Sequence, residues 1–155
     1  LAHPSFVGEI LWYICPFSLN RIFVKEVKSM YDTATHSLLS TILYLVSFHS
    51  FAVGMMLIAR PRPLMALTDL SEVNEPFFPV QGGMFHIIMA VGYSLAAFDL
   101  ERFEALIIFS IVVKFLATCF LLTYYYLGQS KRIVLVSGIF DGCMGLVILS
   151  VYLAL

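Results

Sequence analysis

Apolar positions fill four long runs, each closed by charge, proline or glycine. The first runs from Thr35 to about Ala59 and stops at Arg60, Pro61, Arg62 and Pro63, where two rings and two charges cannot continue an apolar helix. The second runs from about Phe77 to Phe98, with Pro76 and Pro79 at its opening turn, where a missing N–H costs little. The third runs from about Glu104 to Leu127 and ends in Tyr124, Tyr125 and Tyr126, rings suited to a membrane–water interface. The fourth runs from Ile133 to Leu155. Each exceeds the roughly 20 residues that span a bilayer. The short connections 99–103 and 128–132 force antiparallel neighbours.

Residues 1–34 carry a different pattern. The stretch from Phe6 to Phe17 is apolar but short, and it holds Glu9 and Pro16. Leu19, Ile22, Phe23 and Val27 then alternate with Arg21, Lys25, Glu26 and Lys28, a spacing that puts the apolar set on one helical face. The expectation is an interfacial amphipathic segment over residues 1–34, lying on the membrane, followed by a bundle over residues 35–155. The expected fold class is therefore an all-α integral membrane protein, an antiparallel bundle of four transmembrane helices. The stretch from Arg60 to Pro76 is longer and carries Asp69, Glu72 and Glu75. It reads as a solvated loop or a docking surface.

Composition supports this class. Of 155 residues, 61% are hydrophobic and 12% charged, against about 45–50% and about 25% in soluble domains. A chain this short cannot hide that excess in a soluble core. The net charge of −1 excludes a basic nucleic-acid binder. The lipid bilayer is the first partner implied. Arg21, Lys25, Lys28 and Arg102 fall on one side, and Arg60, Arg62, Lys131 and Arg132 on the other. The positive-inside rule therefore gives no majority. Lys25 and Lys28, close to the first span, point to cytoplasmic termini. The first residues lack the pattern of a signal peptide. Cys15, Cys119 and Cys143 form no metal or redox motif.

Four ionisable side chains interrupt the runs, one in each: His49, His86, Lys114 and Asp141. Such groups are costly in lipid and mark function by default. His49 lies ten residues before Ala59, His86 nine after Phe77 and Asp141 nine after Arg132, depths of roughly 14–15 Å from one face. Lys114 lies fourteen before Gly128, roughly 21 Å from that face. Small residues accompany them. Ser110, Lys114 and Thr118 form one stripe, Ser137, Asp141 and Gly145 a second, and Gly82, His86 and Ala90 a third. Val46, His49, Ser50 and Gly54 form a fourth strip. Gly138 and Gly142 make a GxxxG that allows close helix packing, extended by Gly145.

Two readings of these residues stay open. Lys114 and Asp141 form a buried structural ion pair, or part of a proton relay in a proton-coupled transporter. His49 and His86 are satisfied hydrogen-bonding residues, or they hold a cofactor: two haem ligands, one ligand to a chlorophyll-type pigment, or a donor to a quinone carbonyl. No nucleophile elbow, P-loop, dinucleotide fingerprint or HExxH occurs, so no catalytic residue or metal site is assigned.

The four-run layout and the stretch Phe77-Phe78-Pro79-Val80-Gln81-Gly82-Gly83-Met84-Phe85-His86, with Ala90 and Tyr93 following, resemble small four-span bacterial proteins of the DoxX/BphX-like kind. The resemblance covers residues 35–155. It implies a helical bundle in a bacterial inner membrane and an association with electron transport. The 34 leading residues depart from the short N-terminus of that group. The function expected from all this is an accessory subunit docked against other integral membrane subunits.

Overall fold

The computed structural model describes residues 20–59, 77–128 and 132–155, with side chains from Val24 onward. The apolar stretch at 6–17, Cys15, the acidic loop at 60–76 and Lys131 lie outside the described residues.

Four helices account for the described chain: α1 Asn20–Ala59, α2 Phe77–Phe98, α3 Glu104–Tyr126 and α4 Arg132–Tyr152. All four are long and apolar enough to cross a membrane. No strand occurs among the described residues. Pro79 sits in the first turn of α2, where no intrahelical N–H bond is lost. Between α2 and α3, the Asp99 carboxylate accepts from Arg102 N at 3.0 Å and the Asp99 carbonyl from Phe103 N at 3.0 Å. An aspartate in that place fixes a tight turn. Just past the end of α3, Gly128 has a φ of 72°, the left-handed cap that glycine adopts without penalty. Gly128 N donates to Tyr125 O at 3.0 Å there.

The start of α1 differs from the expected division at residue 34. The helix runs unbroken through residues 20–34 of the segment expected to lie flat on the membrane. It is 40 residues long, about 60 Å, against 21–23 for the other three. No glycine or proline interrupts residues 20–53. Thr33 and Thr35 satisfy their hydroxyls on the carbonyls of Ser29 and Tyr31, 2.8 and 2.9 Å away. Nothing local stops the helix.

Neighbouring helices run antiparallel, as the register of their contacts records. On α1 and α2, Ser40 meets Ala97, Ser47 meets Ala90, and Gly54 meets Gly83. Both sets step by seven, so small residues recur on one face and the backbones close together. A Cβ on Gly54 would stand 2.7 Å from Gly83 O, and one on Gly83 would stand 2.7 Å from Gly54 O. Ser40 donates to Ala97 O and Ser47 to Ala90 O, both at 2.7 Å. The second hairpin uses the same step. Gly138 packs on Leu121 and Gly145 on Lys114, each with room for no more than a 3.1 Å Cβ contact. Gly142 lies against Thr118 between them. Tyr152 closes the far end with a 2.6 Å hydrogen bond to Glu104.

The two hairpins meet over Leu39, Leu43, Val46, Tyr93, Ile107, Ile111 and Ile148, all buried. This apolar layer lies toward the α2–α3 turn. The ionisable groups form the next layer.

Candidate functional site

Lys114 and Asp141 come together inside the α3–α4 hairpin, with Nζ 2.5 Å from Oδ1 and side chains only 5% and 14% exposed. The register explains how. Lys114 stands level with Gly145, and Asp141 is one turn nearer the Arg132 end. The lysine stem reaches down that turn past a glycine that offers no side chain. Two opposite charges in contact remove the cost of leaving either alone in an apolar interior. Around the pair, Ser110 donates to Leu106 O at 2.6 Å and Thr118 to Lys114 O at 2.8 Å. The polar stripe of α3 thus satisfies itself on its own backbone.

From the other hairpin, Tyr93 lies under the pair. Its ring centroid is 5.7 Å from Lys114 Nζ, within the range of a cation–π contact. Tyr93 is 1% exposed and carries the polar layer into the hydrophobic one. The residues expected near it left Tyr93 out of the site. Its signal was its seven-residue step from His86 on the same helix.

His86 and His49 occupy the α2 and α1 sides of this layer. His86 packs beside Gly54. By the Ser47–Ala90 register, His49 stands level with position 88, two residues from His86, or about 3 Å along the axis. Neither is hydrogen bonded to another described residue. They are placed differently, however. His49 turns to the α1–α4 edge, with its ring 5.2 Å from that of Phe140, and it is half-buried. The central position beside it belongs to Ser50, 2% exposed. The expectation that His49 points inward with Ser50 and Gly54 is corrected accordingly: adjacent residues on a helix are about 100° apart, and the buried face belongs to Ser50.

Ser137 is corrected on the same ground. It was expected to share an inward stripe with Asp141 and Gly145, yet it is exposed. The α4 seam follows Gly138 and Gly145, seven apart, and a step of four drifts off it. In the Gln81-Gly82-Gly83 stretch, Gly83 makes the close contact, whereas a Cβ on Gly82 would meet only Leu57 at 3.9 Å.

The site therefore holds one closed ion pair, Lys114–Asp141, with His86 and His49 on the facing hairpin. Among the described residues, no three His, Cys, Asp or Glu side chains gather as a metal site. Comparison with protein-family models, curated proteins and solved structures found no match for the chain.

Proposed function

We propose that this chain is an accessory subunit of a larger membrane complex, embedded as four spans and held against other integral membrane subunits. The observation that carries the reading is the closed Lys114–Asp141 pair. The strongest charges of the spans neutralise each other inside the bundle. The glycine and serine seams lock each hairpin around them. That is the construction of a rigid scaffold whose outer apolar surface is free for lipid and neighbouring subunits. The likeness to DoxX/BphX-like proteins extends the proposal to an electron-transfer complex in a bacterial inner membrane, with both termini cytoplasmic.

The experiment is isolation of the tagged chain from its native membranes in mild detergent, followed by native mass spectrometry. The expected result is a complex of fixed stoichiometry containing other integral membrane polypeptides. Purification of the chain alone overturns the reading.

A second reading rests on the near-equal level of His49 and His86. Two imidazoles beside an ion pair suit a haem, a quinone or a chlorophyll-type pigment. His86 fits this role on the inner side, while Phe140 occupies one flank of His49. An optical spectrum of the purified protein, oxidised and then reduced, tests it. Bands that vanish in His86→Ala support the cofactor, and a featureless spectrum ends that proposal for haem and pigment. Solute uptake by liposomes holding only this chain would instead favour a transporter working through Lys114 and Asp141.

A further inference from the structure

The two hairpins are built on one plan. The buried residues of α3 are Ile107, Ser110, Ile111 and Lys114. Leu43, Val46, Ser47 and Ser50 are buried on α1, each 64 positions before its α3 counterpart. The buried Gly138, Gly145 and Ile148 of α4 stand 55 positions after the buried Gly83, Ala90 and Tyr93 of α2. A shared heptad pattern would produce that match by itself. The contacts across each hairpin go further, because they match under the same two shifts. A Cβ on Gly83 would lie 3.1 Å from Leu57 Cβ with Ile58 beside it, and one on Gly138 would lie 3.1 Å from Leu121 Cβ with Leu122 beside it. Gly54 meets Ile87 in the first hairpin where Thr118 meets Gly142 in the second. Helices α1 and α3 run in the same sense, α2 touches α3, and α1 touches α4. The hairpins are thus parallel repeats about a pseudo-two-fold axis along the helices, the layout that places binding sites at the repeat interface in membrane proteins.

These shifts carry Ser50 onto Lys114 and His86 onto Asp141. The ion pair therefore has a counterpart in the first hairpin, made of a hydroxyl and an imidazole. The two places differ in reach. The lysine stem closes on its carboxylate, whereas a serine has a single side-chain carbon, and Ser50 and His86 are not hydrogen bonded to each other. Ser50 is 2% exposed, and its Oγ has no hydrogen-bond partner among the described residues. Ser40 and Ser47 on the same helix both donate to carbonyls of α2. A hydroxyl buried without a partner is costly, and a molecule bridging Ser50 to His86 removes that cost for both groups.

We propose that Ser50 and His86 form a binding site for one small neutral hydroxyl compound, water or a short alcohol, held between Ser50 Oγ and the His86 ring. Charge selects a neutral guest, since Lys114 and Asp141 already cancel. A serine hydroxyl and a neutral imidazole each donate and accept, so the guest has to do both. A hydroxyl does, and a lone carbonyl does not. The inference is independent of the accessory reading, which the composition of the native complex decides.

The test uses the full chain, labelled with nitrogen-15 at histidine, in lipid bilayers under magic-angle spinning NMR. The His86 ring N–H, identified by its loss in His86→Gln, should receive magnetisation from water protons or, once 1-butanol is added, from butanol protons, which tells the two guests apart. Ser50→Val should abolish the transfer and leave helical content unchanged. No transfer from either compound, transfer that survives Ser50→Val, or haem bands that vanish in His86→Ala overturns the inference. The repeat is tested separately. Ala90→Gly supplies the glycine that Lys114 finds at Gly145. In that background Ser50→Lys together with His86→Asp should resist SDS unfolding better than either replacement alone, because the two positions face each other as 114 and 141 do. No gain over the weaker single variant overturns the equivalence on which the site rests.

Discussion

At the scale of single residues, the ion pair and the glycines make opposite kinds of demand. Lys114 and Asp141 are nearly buried and in contact, so removing one strands the other in an apolar interior. Lys114→Met or Asp141→Leu alone should destabilise the protein by about 3–5 kcal/mol, and the double replacement should be milder. Unfolding in mixed micelles at increasing SDS checks this. Equal damage from single and double variants would show that the charges do not act as a pair. The glycines demand space. A Cβ at Gly54 would press on the backbone of α2 at 2.7 Å, whereas one at Gly92 would meet nothing within 4 Å. Gly54→Ala should therefore cost about 1–3 kcal/mol through forced separation. Gly92→Ala should be neutral or stabilising by up to about 1 kcal/mol through helix propensity. The same SDS titration separates the two.

At the scale of elements, the unbroken α1 is the feature that distinguishes the molecule. An interfacial helix joined to a span needs a bend, and residues 31–34 supply none. Spin labels walked from Val24 to Leu43 should show one uninterrupted 3.6-residue rhythm of mobility. Loss of that rhythm between Tyr31 and Thr35 would place a break there after all. The seams of the two hairpins are the other lesson at this scale. Both close by steps of seven, with serine hydroxyls donated across to carbonyls in the first and glycines set against Leu121, Thr118 and Lys114 in the second.

For the whole molecule, antiparallel order fixes which segments share a side once the helices cross a bilayer. The N-terminal part of α1, the α2–α3 turn and the C-terminal end of α4 lie at one end. Gly128 and Arg132 lie at the other. Single cysteines at Lys25 and Arg102 should react with a membrane-impermeant maleimide from the same side of sealed vesicles, and a cysteine at Gly128 from the opposite side. Labelling of all three from one side would rule out the four-span arrangement.

The apolar runs alone determined that the chain is helical and roughly where α2, α3 and α4 begin and end, because the length and punctuation of such runs are local properties. They also singled out His49, His86, Lys114 and Asp141, since a charge or imidazole in an apolar run is visible without any fold. That residues 20–34 and the first apolar run form one helix was not legible, because amphipathic and apolar stretches form equally good helix, and only the continuous backbone joins them. Which polar residues share the interior was decided by packing. A step of four suggested Ser137 as inward, and a strip shared with Val46, Ser50 and Gly54 suggested His49, but each helix turned according to its tightest seam: Gly54 against Gly83, and Gly138 and Gly145 against α3. Once the small residues met, Ser50 took the centre, His49 moved to the edge beside Phe140, and Tyr93 came under Lys114. Rotation about a helix axis depends on what the neighbouring helix offers, and one run read alone does not contain its neighbour.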